Sequence, residues 1–187
     1  MSTRQFGARV ERNVDPKLLR GEGAFVDDIP LPDALHVAFL RSPHARARIV
    51  SIDTSAAKRH VGVAAVYTSD DIGALDVEMP LLIPHPSMKN PKTQRPLARG
   101  DVYYVGQTVA MVVAVDRYTA EDAAALIEVD YAPLPLEMDL AKALTDDAPV
   151  VHADVPNNLA AHFVQTSGDP DDAFARAEHV TKITAQV

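Results

Sequence analysis

Residues 41–48 read Arg-Ser-Pro-His-Ala-Arg-Ala-Arg and hold the only concentrated positive charge in the chain, beside a hydroxyl and an imidazole. Such a cluster could do two kinds of chemistry. Ser42 and His44 could supply a nucleophile and a base. A triad assembles in space and not along the sequence, however, and no Gly-x-Ser-x-Gly elbow is present. Arg46 and Arg48 lie two residues apart, so a strand would place them on one face. That face could hold a carboxylate of another domain or an anionic cofactor group through paired hydrogen bonds. The plainer reading is a solvated strand face.

The other reactive residues resolve into local structure. Histidines stand at 36, 44, 60, 85, 152, 162 and 179. None has a His or carboxylate partner in a metal-binding spacing, and His179 sits where it complements a helix C-terminus. Asp27-Asp28 could suggest acid–base work. Adjacent carboxylates in a strand point to opposite faces, however, so this pair reads as a turn. The same holds for Asp70-Asp71, Asp146-Asp147 and Asp171-Asp172. Gly21-Glu22-Gly23 lacks the third glycine and the helix of a dinucleotide fingerprint. Gly106-Gln107 is a hairpin or bulge signal. No catalytic, cofactor-binding or metal-binding residue is assigned.

Composition narrows the classes. The chain has 187 residues, enough for one domain or slightly more. It is 47% apolar with 5% aromatics and no Trp, so its core must be Val, Ala, Leu and Ile. Net charge is −8, and residues 116–187 hold 14 acidic against 4 basic side chains. That balance opposes nucleic-acid binding. With no Cys, disulfides, zinc thiolates and iron–sulfur ligation by this chain drop out. The longest apolar run, Val109–Val115, is far below the ~18 residues of a membrane span. Residues 1–12 lack a signal-peptide core. A cytoplasmic setting is expected.

The elements that would position these groups follow from pattern. Residues 1–20 read as a polar, extended arm. Leu35–Leu40, Ala47–Asp53 and Val63–Thr68 read as strands. Thr54 or Ser55 would cap a helix over Ala56–His60, which Gly62 would stop. Residues 74–100 carry five prolines and no period; a loop of that length is often functional and could wrap a partner. Val102–Val105 and Thr108–Val115 read as strands about Gly106-Gln107, the second buried on both faces. Thr119 would cap a helix, with Asp122 in a capping-box position. Ala120, Ala123, Ala124, Leu126 and Ile127 would form its apolar face, and its alanines would allow close packing on a sheet. Residues 127–131 alternate as a half-exposed strand. Asp139–Leu144 suggests a short helix. Asp169-Pro170 is a helix start, and Val180–Val187 alternates as a strand. The chain stops inside that strand, which suggests a fold that continues. The fold class is α+β, a mixed sheet with short helices packed on it.

Five pieces in order carry a resemblance. They are Asp15-Pro16-Lys17-Leu18-Leu19-Arg20-Gly21-x-Gly23-x-x-Val26-Asp27-Asp28, Leu35–Ile49, Ser51–Ala57, Tyr104–Ala110, and Ala120–Ala124 through Val129–Pro135. Together they resemble the N-terminal part of the molybdenum-cofactor (large) subunit of the xanthine dehydrogenase, aldehyde oxidase and carbon monoxide dehydrogenase family. The resemblance implies an N-terminal arm over 1–14 and an α/β hammerhead domain over 15–140, with Leu35–Ile49 as its first hairpin. It also implies a connector over 141–187 that leads into the next, cofactor-binding domain. The whole subunit would be an oxidoreductase that binds molybdopterin and hydroxylates an aldehyde, an N-heterocycle or a related small molecule, or oxidises CO. Its partners would be a molybdopterin-binding domain or chain and iron–sulfur and flavin (FAD) modules. The cofactor loops and the catalytic base would lie downstream, so this chain would be structural and inactive alone. The alternative is a free-standing binding or assembly module that uses the 74–100 loop and the acidic second half.

Overall fold

A computed structural model of the protein describes Gly7 and residues 11–185. The chain divides into two compact units, Met1–Leu35 and His36–Val187. In the first, helix α1 (Asp15–Leu19) carries Pro16 in its opening turn and Asp15 at its positive end. The extended arm expected over 1–20 therefore gives way to a helix at Asp15. Residues 1–6 and 8–10 of that arm lie outside the described residues. A 3₁₀ turn over Val26–Asp28 follows, closed by the Phe25 amide donating to Asp28 Oδ2 at 2.9 Å. Asp28 is thereby a turn residue.

The second unit holds six strands: β1 (His36–Arg41), β2 (Ala47–Asp53), β3 (Val63–Tyr67), β4 (Asp101–Val102), β5 (Thr108–Ala114) and β6 (Glu128–Pro133). They form two three-stranded sheets, in the orders β1-β5-β3 and β4-β2-β6. Each pairing is antiparallel. The α+β class with short helices holds, while the one mixed sheet expected is two antiparallel ones. Successive strands alternate between the sheets, so no strand pairs with its neighbour in sequence.

This alternation overturns both expected hairpins. After β1 the chain bulges at Leu40/Arg41 and leaves the sheet; Pro43 has no amide to continue a ladder. β2 then joins the other sheet. Likewise β4 pairs with β2 and not with β5, and it is two residues long where four were expected. Gly106, at φ +90, makes the crossing back. The two crossings bond to each other: the Ser42 amide donates to the Gln107 carbonyl and the Gly106 amide to the Ser42 carbonyl, both at 2.8 Å.

Short helices cover the first sheet. α2 (Ser55–Arg59) is not capped by Thr54 or Ser55 side chains; Asp53 Oδ1 instead accepts from the Ser55 amide. α3 (Arg117–Ala125) begins two residues before the expected cap, because Asp116 accepts from the Thr119 amide at 2.8 Å. The carboxylate reaches that amide from the N-cap position, which leaves Thr119 inside the first turn. Ala120, Ala123 and Ala124 bury against the sheet as their size predicts, while Leu126 stays exposed. Gly62, at φ +87, is where α3 closes on the turn before β3: a Cβ there would meet Val115 Cγ2 at 3.0 Å.

β5 is the central strand, and Val109, Ala110, Val112 and Ala114 are all buried. Val112 packs with Ala57, Val66, Ala123 and Ile127. Val109 joins a second cluster with Ala47, Ala98 and Val102, and Ile52 and Val129 touch both clusters. Beyond β6 the expected helix over 139–144 is a 3₁₀ turn, Lys142–Leu144, because Asp139 caps the Ala141 and Lys142 amides side-on. α4 (Pro170–Arg176) starts at Asp169 as expected. No strand forms over 180–185, which is irregular. Residues 186–187 of that expected strand lie outside the described residues.

The 74–100 segment is irregular yet pinned at its base. Asp76, with its side chain 3% exposed, accepts from Arg95 Nη1 at 3.2 Å and from Arg99 Nη1. Arg95 Nη1 also donates to the Asp76 carbonyl at 2.5 Å. Burial raises the Asp76 carboxyl pKa, but the two guanidinium groups outweigh it and hold the group below 3.8.

Two predictions follow from this core and this clamp. Val112→Ala should cost ~2 kcal/mol in urea unfolding through lost burial and a residual cavity, whereas Val61→Ala, at an exposed turn, should change stability by less than ~0.5 kcal/mol. A carboxylate with a lowered folded pKa stabilises above its unfolded value of 3.8 and loses that contribution as pH falls through the folded value. Urea midpoints measured from neutral to acid pH should therefore fall less steeply below about pH 4 in Asp76→Asn than in the parent chain.

Candidate functional site

The 74–100 segment does more than connect. It folds against residues 152–162, some 65 positions later, and together with residues 101–107 the two line an open cleft of about 880 Å³. Backbone and side chain both fasten it. The Lys89 amide donates to the Ala160 carbonyl at 2.9 Å, and the His162 amide to the Ser87 carbonyl at 3.2 Å. Asn90 Nδ2 donates to the Asn157 and Leu159 carbonyls at 3.1 and 2.9 Å. An isolated antiparallel bridge joins Met88 and Ala161.

Inside the cleft, Lys92 is hydrogen-bonded to Asp154 and lies 3.7 Å from Glu78. The Asp154 bond raises the ammonium pKa above its ordinary value against the opposing effect of burial. The Lys92 bond in turn lowers the Asp154 carboxyl. The Tyr103 and His152 rings meet at 4.4 Å between centroids. Burial pushes the Tyr103 phenol up and the His152 imidazole down, so both are neutral near pH 7. Tyr104 Oη donates to Gln94 Oε1 at 2.5 Å. Met79, Pro80 and Leu82 form an apolar lip.

Of the residues singled out from sequence, Gln107 and His152 line this cleft, whereas the Arg41–Arg48 group does not gather here. Ser42 is 2% exposed, and its hydroxyl is spent on the backbone of His44: it donates to the carbonyl at 3.1 Å and accepts from the amide at 3.0 Å. The His44 ring lies against Tyr131, with centroids 4.8 Å apart. The arginines disperse. Arg41 Nη1 donates to the Gly106 carbonyl at 2.9 Å, Arg46 Nη1 to the Pro135 carbonyl at 2.6 Å, and Arg48 Nε to Asp101 at 3.3 Å. Gln107 Oε1 accepts from the Tyr103 amide at 2.7 Å and stiffens the turn between the sheets. Among the described residues, no three His, Asp or Glu side chains converge on a metal position.

The cleft itself was not foreseen. Tyr103, His152 and Lys92 are too far apart in sequence for any spacing rule, and the only hint was the length of the 74–100 segment. Its cations are neutralised from within. Lys92 is paired with Asp154 and Glu78, Arg95 with Asp76, and Arg99 with Asp76 and Asp70. An anionic cofactor group would find these donors occupied by carboxylates, so the cleft does not fit one.

Comparison with known proteins gives one consistent answer. A family model described as "Aldehyde oxidase and xanthine dehydrogenase, a/b hammerhead domain" matches residues 20–135. The chain is 42% identical to the carbon monoxide dehydrogenase large chain of Afipia carboxidovorans, over 95% of this chain and 23% of that protein. It is 38% identical to the nicotine 6-hydroxylase large subunit of Paenarthrobacter nicotinovorans, over 94% of this chain and 21% of that one. Among solved structures, reconstituted CO dehydrogenase from Oligotropha carboxidovorans superposes with a TM-score of 0.72 at 40% identity, covering 92% of this chain and 22% of that one. Aldehyde oxidoreductase from Desulfovibrio gigas gives a TM-score of 0.73 at 28% identity, covering 90% and 19%. The chain thus spans less than a quarter of the length of the curated relatives it matches. No helix among the described residues is long and apolar enough to cross a membrane. Two antiparallel sheets threaded alternately, the first of them under short helices, matched by sequence and by structure, make this chain a member of the aldehyde oxidase and xanthine dehydrogenase family, carrying its α/β hammerhead domain.

Proposed function

We propose that the chain is the N-terminal, structural portion of a molybdenum hydroxylase large subunit working in the cytoplasm. Residues 1–14 form its arm, 15–140 the hammerhead body, and 141–187 the connector towards the cofactor-bearing region. The observation that carries this reading is the internal pairing of charge: Lys92, Arg95 and Arg99 are all spent on carboxylates of the same chain. A region built this way braces its neighbours and leaves cofactor binding to other residues. The relatives point the same way, since one solved form is a Cu,Mo-CO dehydrogenase and one relative is a complex subunit.

In this reading molybdopterin is bound by the rest of the large subunit. Iron–sulfur clusters and FAD sit on partner modules, consistent with a chain that has no Cys for cluster ligation. The substrate is a small molecule hydroxylated, or CO oxidised, outside these residues. The connector braces the long 74–100 segment through Asn90 and the Lys89 and His162 amides, and so fixes where the chain departs from the hammerhead body.

The expected outcome is a sharp division of properties. The 187-residue chain, expressed in a host that makes molybdopterin, should purify without molybdenum by elemental analysis and without dye-linked oxidation of aldehydes, N-heterocycles or CO. The complete large subunit with its partner subunits should show both. Stoichiometric molybdenum together with turnover in the 187-residue chain would sink the structural reading.

A further inference from the structure

The first sheet has two faces, and among the described residues of the second unit only one is covered by a packed layer. Ala38, Leu40, Ala110, Val112 and Val66 turn towards α2 and α3. The strand registers set two rows on the opposite face: Val37–Val113–Ala65 and Phe39–Met111–Tyr67. Directly opposed residues share a face, so these six side chains form one patch. None of them is charged. Val37 and Phe39 are 49% and 44% exposed, and the other four are half-buried. The next residue of β5 on that face, Val109, is sealed by Ala98 and Val102 of the second cluster. The open patch is therefore a continuation of packed core and not an isolated surface apolar residue.

We propose that this face is the seat of further polypeptide of the same large subunit, which lays an uncharged apolar surface across β1, β5 and β3. The inference rests on the structural role proposed above and assigns that role to a surface. Three observations choose this occupant. Sheets need an apolar layer on each apolar face, and here the second layer is missing. In the solved relatives this region is only 22% and 19% of the chain, so most of the polypeptide around it lies outside these residues. A second copy is the weaker occupant, because a net charge of −8 per chain repels it. β1 is also an edge strand, guarded at its end by Arg41 and the Leu40/Arg41 bulge but without Pro or a charged side chain over Val37–Leu40. Arg41, with its guanidinium 5.8 Å from the Phe39 ring centroid, marks the polar border of the patch.

The absence of native Cys makes the test direct, because an introduced thiol is the only one in these 187 residues. Val37→Cys is placed in this chain and in the complete large subunit, and maleimide labelling is followed by peptide mass spectrometry. Ala65→Cys, on the same face with a small-for-small change, serves if Val37→Cys does not fold. Labelling should be fast in the 187-residue chain and at least about tenfold slower in the complete subunit, where the face is closed. Equal rates in both would overturn the proposal. Protection already present in the 187-residue chain, with a dimer mass by light scattering, would overturn it in favour of a second copy. The two readings fail separately: an unprotected thiol in a molybdenum-loaded, active subunit sinks only the docking face, whereas molybdenum held by the 187-residue chain sinks the structural role itself.

Discussion

Two backbone hydrogen bonds, Ser42 N to Gln107 O and Gly106 N to Ser42 O, join the crossings on which the second unit depends. The chain changes sheet at every strand. Every connection is therefore a crossover, and the crossovers must be held where the sheets meet. At Ser42 the turn is closed from within by its own hydroxyl, and Pro43 removes the amide that could have continued β1. At Gly106 a left-handed backbone turns the chain towards β5, while buried Gln107 ties the same turn to the Tyr103 amide. Arg41 adds a third bond, to the Gly106 carbonyl. The residues that looked most like an active site are the joinery between two sheets.

Around that joint the chain keeps its charges to itself. Asp76 gathers Arg95 and Arg99 at the base of the long segment, and Lys92 takes Asp154 and Glu78 at its far side. At Asp76, whose side chain is 3% exposed, an unpaired charge would be costly, so its two arginines pin the base of the 74–100 segment. The Lys92 pairs are more exposed and add less. The pairing also explains the chemical character of the cleft. Its cations are committed, its histidine is neutral, and its walls are set by packing. The same economy leaves one apolar sheet face without a layer, and that contrast directs attention from the cleft to the face.

Much of the local structure was legible beforehand, for identifiable reasons. β2 runs over Ala47–Asp53 as read, because its β-branched and apolar residues are bounded by turn formers. The unbroken run at Val109 made β5 legible as a strand, but not as buried on both faces: Ala110, Val112 and Ala114 are buried on one face, while Met111 and Val113 on the other are only half-buried. The Asp169-Pro170 start of α4 was legible because a capping carboxylate and a proline in the first turn act within one turn of helix. The family was legible because five weak pieces stand in order. The cap of α3 was misplaced because Asp116 and Thr119 are both capping residues, and only geometry shows which one reaches an amide. Both hairpins were misplaced because adjacency in sequence was taken for pairing. The cleft was invisible, since its walls join residues 78–107 to residues 152–154, some 45 or more positions later.

The sequence by itself determined most of the extended and helical segments of the second unit up to β6, the start of α4, and the alanine face of α3, but not α1, the 3₁₀ turn at Lys142–Leu144 or the irregular path of 180–185. Those properties depend on side-chain shape and on period within a few residues. It also determined that no thiolate of these 187 residues can ligate a cluster, because a ligand that is absent cannot be supplied by folding. Only the tertiary structure decided which strand pairs with which, that Ser42 and Gly106 meet, that Asp76 finds two arginines, and that one sheet face stays bare. These outcomes rest on contacts between residues tens of positions apart. Many pairings satisfy the same local pattern, and the choice among them is made by the packed core as a whole, through Val112, Val109 and the alanines of α3.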